Sequence, residues 1–209
     1  MESSILTQSD FNTFLASVRF RHMTDSNLIT RCVRAGYLDL SRTLHGLRVL
    51  PSRELLRRQA RKYLRDRFTD IKTKKTIIQN QQDFDDWHKS SCQGLISLYN
   101  DHKFKTFHKG QAQKWINMTY KYVFTLGEDR LPGFAHLYSL CHVPLDIKII
   151  NNLEKFNPPV LSTRWSRIDD HQEYMAYQKW VRKSFSIVPL DVEFIAWPGN
   201  SVEVYFQYK

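Results

Sequence analysis

GQAQKWINMTYKYVFTLG, residues 110–127, is the stretch that decides the fold class. Ala112, Trp115, Ile116, Thr119, Tyr122, Val123 and Leu126 recur at the three- and four-residue steps of one helical face, and Gly127 supplies a stop. Gly110, Lys114, Asn117 and Lys121 fall on the opposite side, so the segment reads as an amphipathic helix with a polar, basic back. The same period extends in both directions. Ile29, Val33, Leu40, Leu44 and Leu47 mark a helix capped by Ser26, and a shorter one opens at Ser9 or Asp10 and runs to His22. Phe84, Trp87, Ser91, Cys92, Leu95 and Tyr99 line a helix that starts at Asp83. Leu145, Ile149, Leu153 and Phe156 line another, opening near Pro144 and ending at Asn157-Pro158-Pro159. Tyr174, Tyr177, Val181 and Phe185 follow a start at Ser166 or Asp169.

The tail changes period. Val192 to Trp197 and Val202 to Tyr208 read as two strands around the turn Pro198-Gly199-Asn200-Ser201. The expected fold is therefore mainly α, a compact helical domain of about seven helices with a C-terminal β-hairpin. It forms one domain over residues 1–209, with 1–70 a candidate basic helical lobe and 83–209 the helical core carrying the hairpin. The polar run TDIKTKKTIIQNQQ at 69–82 is the boundary between them.

Composition bounds the rest. With 42% hydrophobic and 13% aromatic residues the chain buries a real core, and seven Gly and seven Pro exclude collagenous or linker-dominated classes. No apolar run approaches the roughly 18 residues of a membrane helix, and the acidic second residue of MESSILTQSDF is unlike a signal peptide. Cys32, Cys92 and Cys141 are odd in number and scattered, which fits reduced thiols and a cytoplasmic setting.

Function is read from RELLRRQARKYLRDR, residues 53–67, which follows the start signal Pro51-Ser52. Extended to Lys75 it holds ten cations against three anions, a net of +7 in a chain whose total is +10. Leu56, Ala60, Tyr63 and Leu64 share one helix face, while Arg53, Arg57, Arg61 and Arg65 repeat at i+4 on another. Arginine suits bidentate contact with phosphate. The leading expectation is a nucleic-acid-binding protein, for DNA or RNA, using Arg53, Arg57, Arg58, Arg61, Lys62 and Arg65. Lys74, Lys75, Lys109 and Lys121 extend the surface, together with the basic loop from Lys103 to Lys109. The spacing of zinc fingers, zippers and sheet-based RNA binders is missing. A protein-interaction module that docks its basic helix on an acidic partner is a further alternative.

A second alternative is an enzyme acting on nucleic acid. Gly110-Gln111-Ala112-Gln113-Lys114 followed by Val143-Pro144-Leu145-Asp146 is similar, in order, to helix-hairpin-helix DNA glycosylases. Those enzymes place a lysine nucleophile at a glycine-rich hairpin and an aspartate at the start of a later helix. The resemblance implies catalytic roles for Lys114 and Asp146 without a cofactor. Here the hairpin has one glycine where several are usual, and the gap to Asp146 is longer. A nuclease would instead need a divalent metal held by converging carboxylates, from Asp83, Asp85 and Asp86 or from Asp169, Asp170 and Glu173. Capping of helix starts is the plainer role for both clusters. Asp146-Ile147-Lys148 has the end of a nuclease-type D-x-K pattern in a helical setting. His88, Cys92, Cys141 and His142 could make a zinc site only if their segments met, and no close-spaced ligand motif supports one. Arg130 and His136 flank a helix-breaking Pro132-Gly133, and Trp165, between Arg164 and Arg167, is placed either to stack on a base or to dock in the core.

Overall fold

The computed structural model describes residue 7 and residues 27–207. Among them lie seven α-helices: α1 (Leu28–Leu40), α2 (Arg53–Lys72), α3 (Gln81–Asp101), α4 (Lys109–Leu126), α5 (Ile147–Leu153), α6 (His171–Ser184) and α7 (Pro189–Ala196). The mainly α expectation holds. The helix expected from Ser9 or Asp10, the Ser26 cap, and Tyr208 lie outside the described residues.

α4 is the axis of the molecule, with α1 and α3 packed along it. Every residue from Gly110 to Leu126 is buried. The apolar face does what its period demands, but the supposed polar back is buried too. Lys114, Asn117 and Lys121 therefore do not face solvent, and the amphipathic reading of this helix is corrected. α1 comes close because Gly36 has no side chain: a Cβ there would stand 2.9 Å from both the Trp115 carbonyl oxygen and Thr119 Oγ1. Trp115 Nε1 donates to the Val33 carbonyl at 2.8 Å and locks the crossing.

The basic helix docks by the stripe Leu56, Ala60, Leu64, Phe68 and Ile71 into the same apolar cluster as α1, α3 and α4. A second cluster, including Val143, Ile149, Tyr177, Val181 and Val192, joins α5, α6 and α7. Burial of such side chains at about 25 cal/mol per Å² is what holds the helices to α4.

Several boundaries follow side-chain caps. Asn80 accepts from the Asp83 backbone N–H at 3.0 Å, so α3 starts two residues before Asp83. Asp146 accepts from Ile149 N at 3.0 Å and starts α5, displacing the expected start at Pro144. Asp170 caps α6. Gly127, at φ 79°, ends α4 as expected. Within the 69–82 run, α2 continues to Lys72 and α3 begins at Gln81, leaving a short connection.

The expected C-terminal β-hairpin is not formed. Val192 to Ala196 lies in α7, and Glu203–Tyr205 is a 3-10 turn. No strand occurs among the described residues, only an isolated antiparallel bridge between Phe185 and Phe206. The reason is local: Pro189 occupies the first turn of α7, and Asp191 follows at its positive end. Leu190, Val192 and Glu193 are all buried, so the alternation of a half-exposed strand has nothing to report on here. No described helix is long and apolar enough to cross a membrane.

Candidate functional site

The arginines of α2 are not one bare ridge. Arg53 donates to the Arg48 carbonyl at 2.7 Å and stands 3.4 Å from Glu54. Arg57 donates through Nε to the Tyr37 hydroxyl at 2.8 Å and pairs with Glu54 at 3.1 Å. Arg61 lies over the Tyr37 ring, 5.1 Å from its centroid. Lys62 and Arg65 both reach Asp66, at 2.5 and 2.8 Å. Arg58 faces solvent. Exposed pairs of this kind contribute little and exchange readily for another anion. Arg67 turns inward, donating to Ser91 Oγ at 3.0 Å and to Ser90 Oγ at 2.8 Å.

What the fold adds is convergence. Beyond α1 the chain makes two 3-10 turns, Ser41–Thr43 and Leu47–Val49, hinged at Gly46 with φ 83°. Leu44 and Leu47 are buried beneath them, which leaves Arg42 and Arg48 exposed. Arg42, Arg48, Arg53 and Arg57 then line one small cavity of about 130 Å³, with Tyr37 and Ser41 in its wall. Four arginines lining a volume of that size, at the positive end of α2, form a cradle whose chemistry suits an oxyanion, with Arg53 and Arg57 also shared with Glu54. Arg42 and Arg48 carry no periodic signal of their own; only the turn geometry reveals them.

At the far end of α2, Lys74 and Lys75 are exposed, beside Lys72. Twenty helical residues separate these lysines from the cradle by roughly 30 Å. The two remaining cations of the expected surface are placed otherwise. Lys109 is half-buried and donates to the Asp169 carbonyl at 2.8 Å; burial pulls its ammonium below the usual lysine range. Lys121 is withdrawn altogether: 1% exposed, it pairs at 2.7 Å with the fully buried Glu193 and sits over the rings of Phe194 and Trp197. A cation sealed in this way has no surface to offer a phosphate.

Lys114 and Asp146, 32 residues apart, are brought together. Lys114 Nζ donates to Asp146 Oδ2 at 2.6 Å. Lys114 is 3% exposed and Asp146 13%, so the pair meets solvent at its carboxylate end. Burial alone would push the Asp146 carboxyl up; the Lys114 ammonium and the N–H groups of Ile149 and Lys148 overcome it and hold the carboxyl below its ordinary range.

The pair is positioned by side-chain amides that imitate backbone. Gln113 donates to the Leu145 carbonyl at 2.9 Å and accepts from Leu145 N at 3.3 Å. Gln178 does the same for Val143, at 3.0 and 2.9 Å. Arg182 gathers the carbonyls of Ser139, Leu140 and Cys141. The extended run into α5 is thus latched to α4 and α6. Sequence reasoning missed Gln113 and Gln178, since a buried glutamine leaves no mark on a hydropathy period.

The other candidates are committed elsewhere. His88 and His142 do approach, with ring centroids 4.6 Å apart, and Cys92 Sγ lies 3.8 Å from His88 Nδ1. Their nitrogens face other partners: His88 Nε2 meets Asn117 at 3.0 Å, and His142 meets the Tyr174 hydroxyl and Asp85, both at 2.8 Å. Burial lowers the pKa of both rings, that of His142 to about 4. No group of three or more metal-ligating side chains forms among the described residues. Asp83 accepts from Gln79 N, Asp85 from Gln81, Asp86 from Gln82 and Glu173 from Ser162 N. Asp169 faces His108 at 2.7 Å, and Asp170 is a helix cap. His136 is exposed within the 3-10 turn Ala135–Leu140, and Trp165 is half-buried. Against known proteins, no family model, no curated protein and no solved structure matches this chain.

Proposed function

We propose that this protein binds nucleic acid, holding the phosphate backbone in the arginine cradle at the start of α2 and along the exposed cations toward Lys75. The observation that carries the reading is the meeting of Arg42, Arg48, Arg53 and Arg57 around one phosphate-sized cavity. Each phosphate neutralised on duplex DNA contributes about −0.9 to the log–log salt slope. A gel-shift or anisotropy titration across salt tests it. Replacing Arg48 and Arg53 with glutamine is expected to weaken binding uniformly across sequences and to flatten the slope by about one to two units. A slope indifferent to these arginines refutes the cradle.

The contact between Lys114 and Asp146 favours a second reading, in which the bound nucleic acid is also a substrate for base removal. Lys114 is the amine; it rests as the ammonium partner of Asp146 and attacks only once that proton has passed to the carboxylate. The neutral amine forms a bond to C1′ as the glycosidic C1′–N bond breaks, and the departing base keeps the electron pair and takes up a proton. After the nitrogen gives up a proton, its lone pair opens the sugar ring, the C1′–O4′ bond breaking as O4′ takes up a proton, and the resulting iminium is reduced by borohydride to a stable secondary amine. Borohydride trapping on damaged or abasic DNA is expected with the native chain and not with Lys114→Gln. Absence of any trapped adduct across abasic and damaged substrates leaves the pair a structural ion pair.

A further inference from the structure

Two adjoining cavities share Thr43, His45, Arg164 and Ser166, and they differ in chemistry. The larger, about 820 Å³, has apolar and aromatic walls that include Ile147, Ile150, Pro159, Trp165 and Tyr177. Glu154 is the one acidic residue on them. The smaller, about 390 Å³, is lined by Arg164, Arg167, His45 and His108, with the hydroxyls of Thr106 and Ser166, and by no carboxylate. His108 already faces Asp169. Arg164 and Arg167 are exposed, and neither side chain makes a hydrogen bond or ion pair among the described residues. One compartment accepts a flat apolar ring, the next an anion.

Both rims are built onto the start of α4. Gln111 Nε2 donates to the Thr43 carbonyl at 3.0 Å and to its hydroxyl at 3.1 Å. Gly110 N donates to the Ile168 carbonyl at 2.8 Å, and the Trp165 carbonyl rests where a side chain at Gly110 would be. The groove is thereby preformed, and each compartment, at about 820 and 390 Å³, is of a size that small-molecule sites have. Segment 41–48 also carries Arg42 and Arg48 of the cradle, so the groove and the cradle lie on either end of one short turn. Lys114 and Asp146 line neither cavity, although Ile147, the next residue, does.

We infer that this double groove holds a single nucleotide, its base beside Trp165 and its phosphate between Arg164 and Arg167. The choice of ligand rests on the nucleic-acid reading; the site itself does not require the cradle or any chemistry at Lys114. The nucleotide is either free or one unit of a strand.

Titration with AMP, adenosine and inorganic phosphate, followed by ligand-observed NMR, separates the compartments. AMP is expected to bind at least about tenfold more tightly than either fragment. Arg164→Gln with Arg167→Gln is expected to weaken AMP about tenfold, and both positions are exposed, so the fold is retained. Ile147→Glu, at a 59% exposed position on the wall of the larger cavity, places a carboxylate in the apolar compartment that takes the base and weakens AMP again. If AMP is silent but a five-nucleotide single strand binds and responds to the same variants, the site serves a strand. If neither ligand binds, or binding ignores all three substitutions, the inference is overturned. Arg48→Gln with Arg53→Gln weakens the strand and leaves AMP untouched, so loss of the cradle reading is told apart from loss of this one.

Discussion

Gly110→Ala tests the packing that holds the groove and the start of α4 together. A Cβ on Gly110 would lie 1.8 Å from the Trp165 carbonyl oxygen and 2.9 Å from its carbonyl carbon. Ordinary contact begins at 3.4 Å, so the 165–168 backbone must retreat by about 1.6 Å. That retreat pulls on the hydrogen bond from Gly110 N to Ile168 and on the clasp between Asp169 and His108. Overpacking costs about 1–3 kcal/mol, and one lost hydrogen bond about 1 kcal/mol. Alanine returns at most about 1 kcal/mol of helix propensity. The net is a destabilisation of about 2 kcal/mol, or roughly 4–8 °C in Tm for a chain of this size. Gly94→Ala is the control. There the Cβ would meet Tyr63 Oη at 2.1 Å, but that is the far end of a half-exposed side chain that can swing away. Its expected cost is under about 1 kcal/mol. Urea melts of the two variants decide: if Gly110→Ala matches or exceeds the native midpoint, or Gly94→Ala is the more damaging, the close approach at Trp165 is not what positions this loop.

Lys121→Met leaves Glu193 charged and unpaired in the core and is expected to cost about 3–5 kcal/mol, most of it recovered when Glu193→Leu is added; equal melts for single and double variants would contradict this. His142, depressed to about 4 in the fold against 6.5 unfolded, makes the unfolded chain the better proton binder between those values. Stability should therefore fall as pH drops from 6.5 toward 4, by up to about 3 kcal/mol from this residue, and a His142→Gln variant should show a shallower decline in urea midpoint over that window. Cys32, Cys92 and Cys141 are buried, and burial raises all three thiols; a thiol reagent should label them only as the protein unfolds, and rapid labelling of the native state would place a cysteine at the surface.

Much of the architecture was legible because apolar periodicity reports which face is driven out of water. The stripes of α3 and α6 are buried as their spacing requires, and so is that of α2 except for the half-exposed Tyr63. The same signal misled at α4, since a period reveals an apolar face but says nothing about whether polar residues opposite it are solvated or satisfied internally. Lys121, Asn117 and Gln113 are all internal donors. At α7 the β-branched Val192 and Ile195 outweighed Pro189, although a proline at a first turn was the stronger mark. Of the candidate sites, motif order singled out Lys114 and Asp146 but not their contact, which needs the buried start of α4 to meet the cap of α5. The cradle was not legible either, because Arg42 and Arg48 reach it through a glycine-hinged turn.

The glutamine latch on Leu145 carries a consequence for how such a chain can change over generations. Because α4 grips the approach to α5 directly, the register of Asp146 against Lys114 does not depend on the length of the connection from Gly127 to Ser139. Buried Leu131, Phe134 and Leu137 still tie that excursion to the core, but a change of length between those anchors leaves Lys114 and Asp146 in step, a variation that the pair never feels.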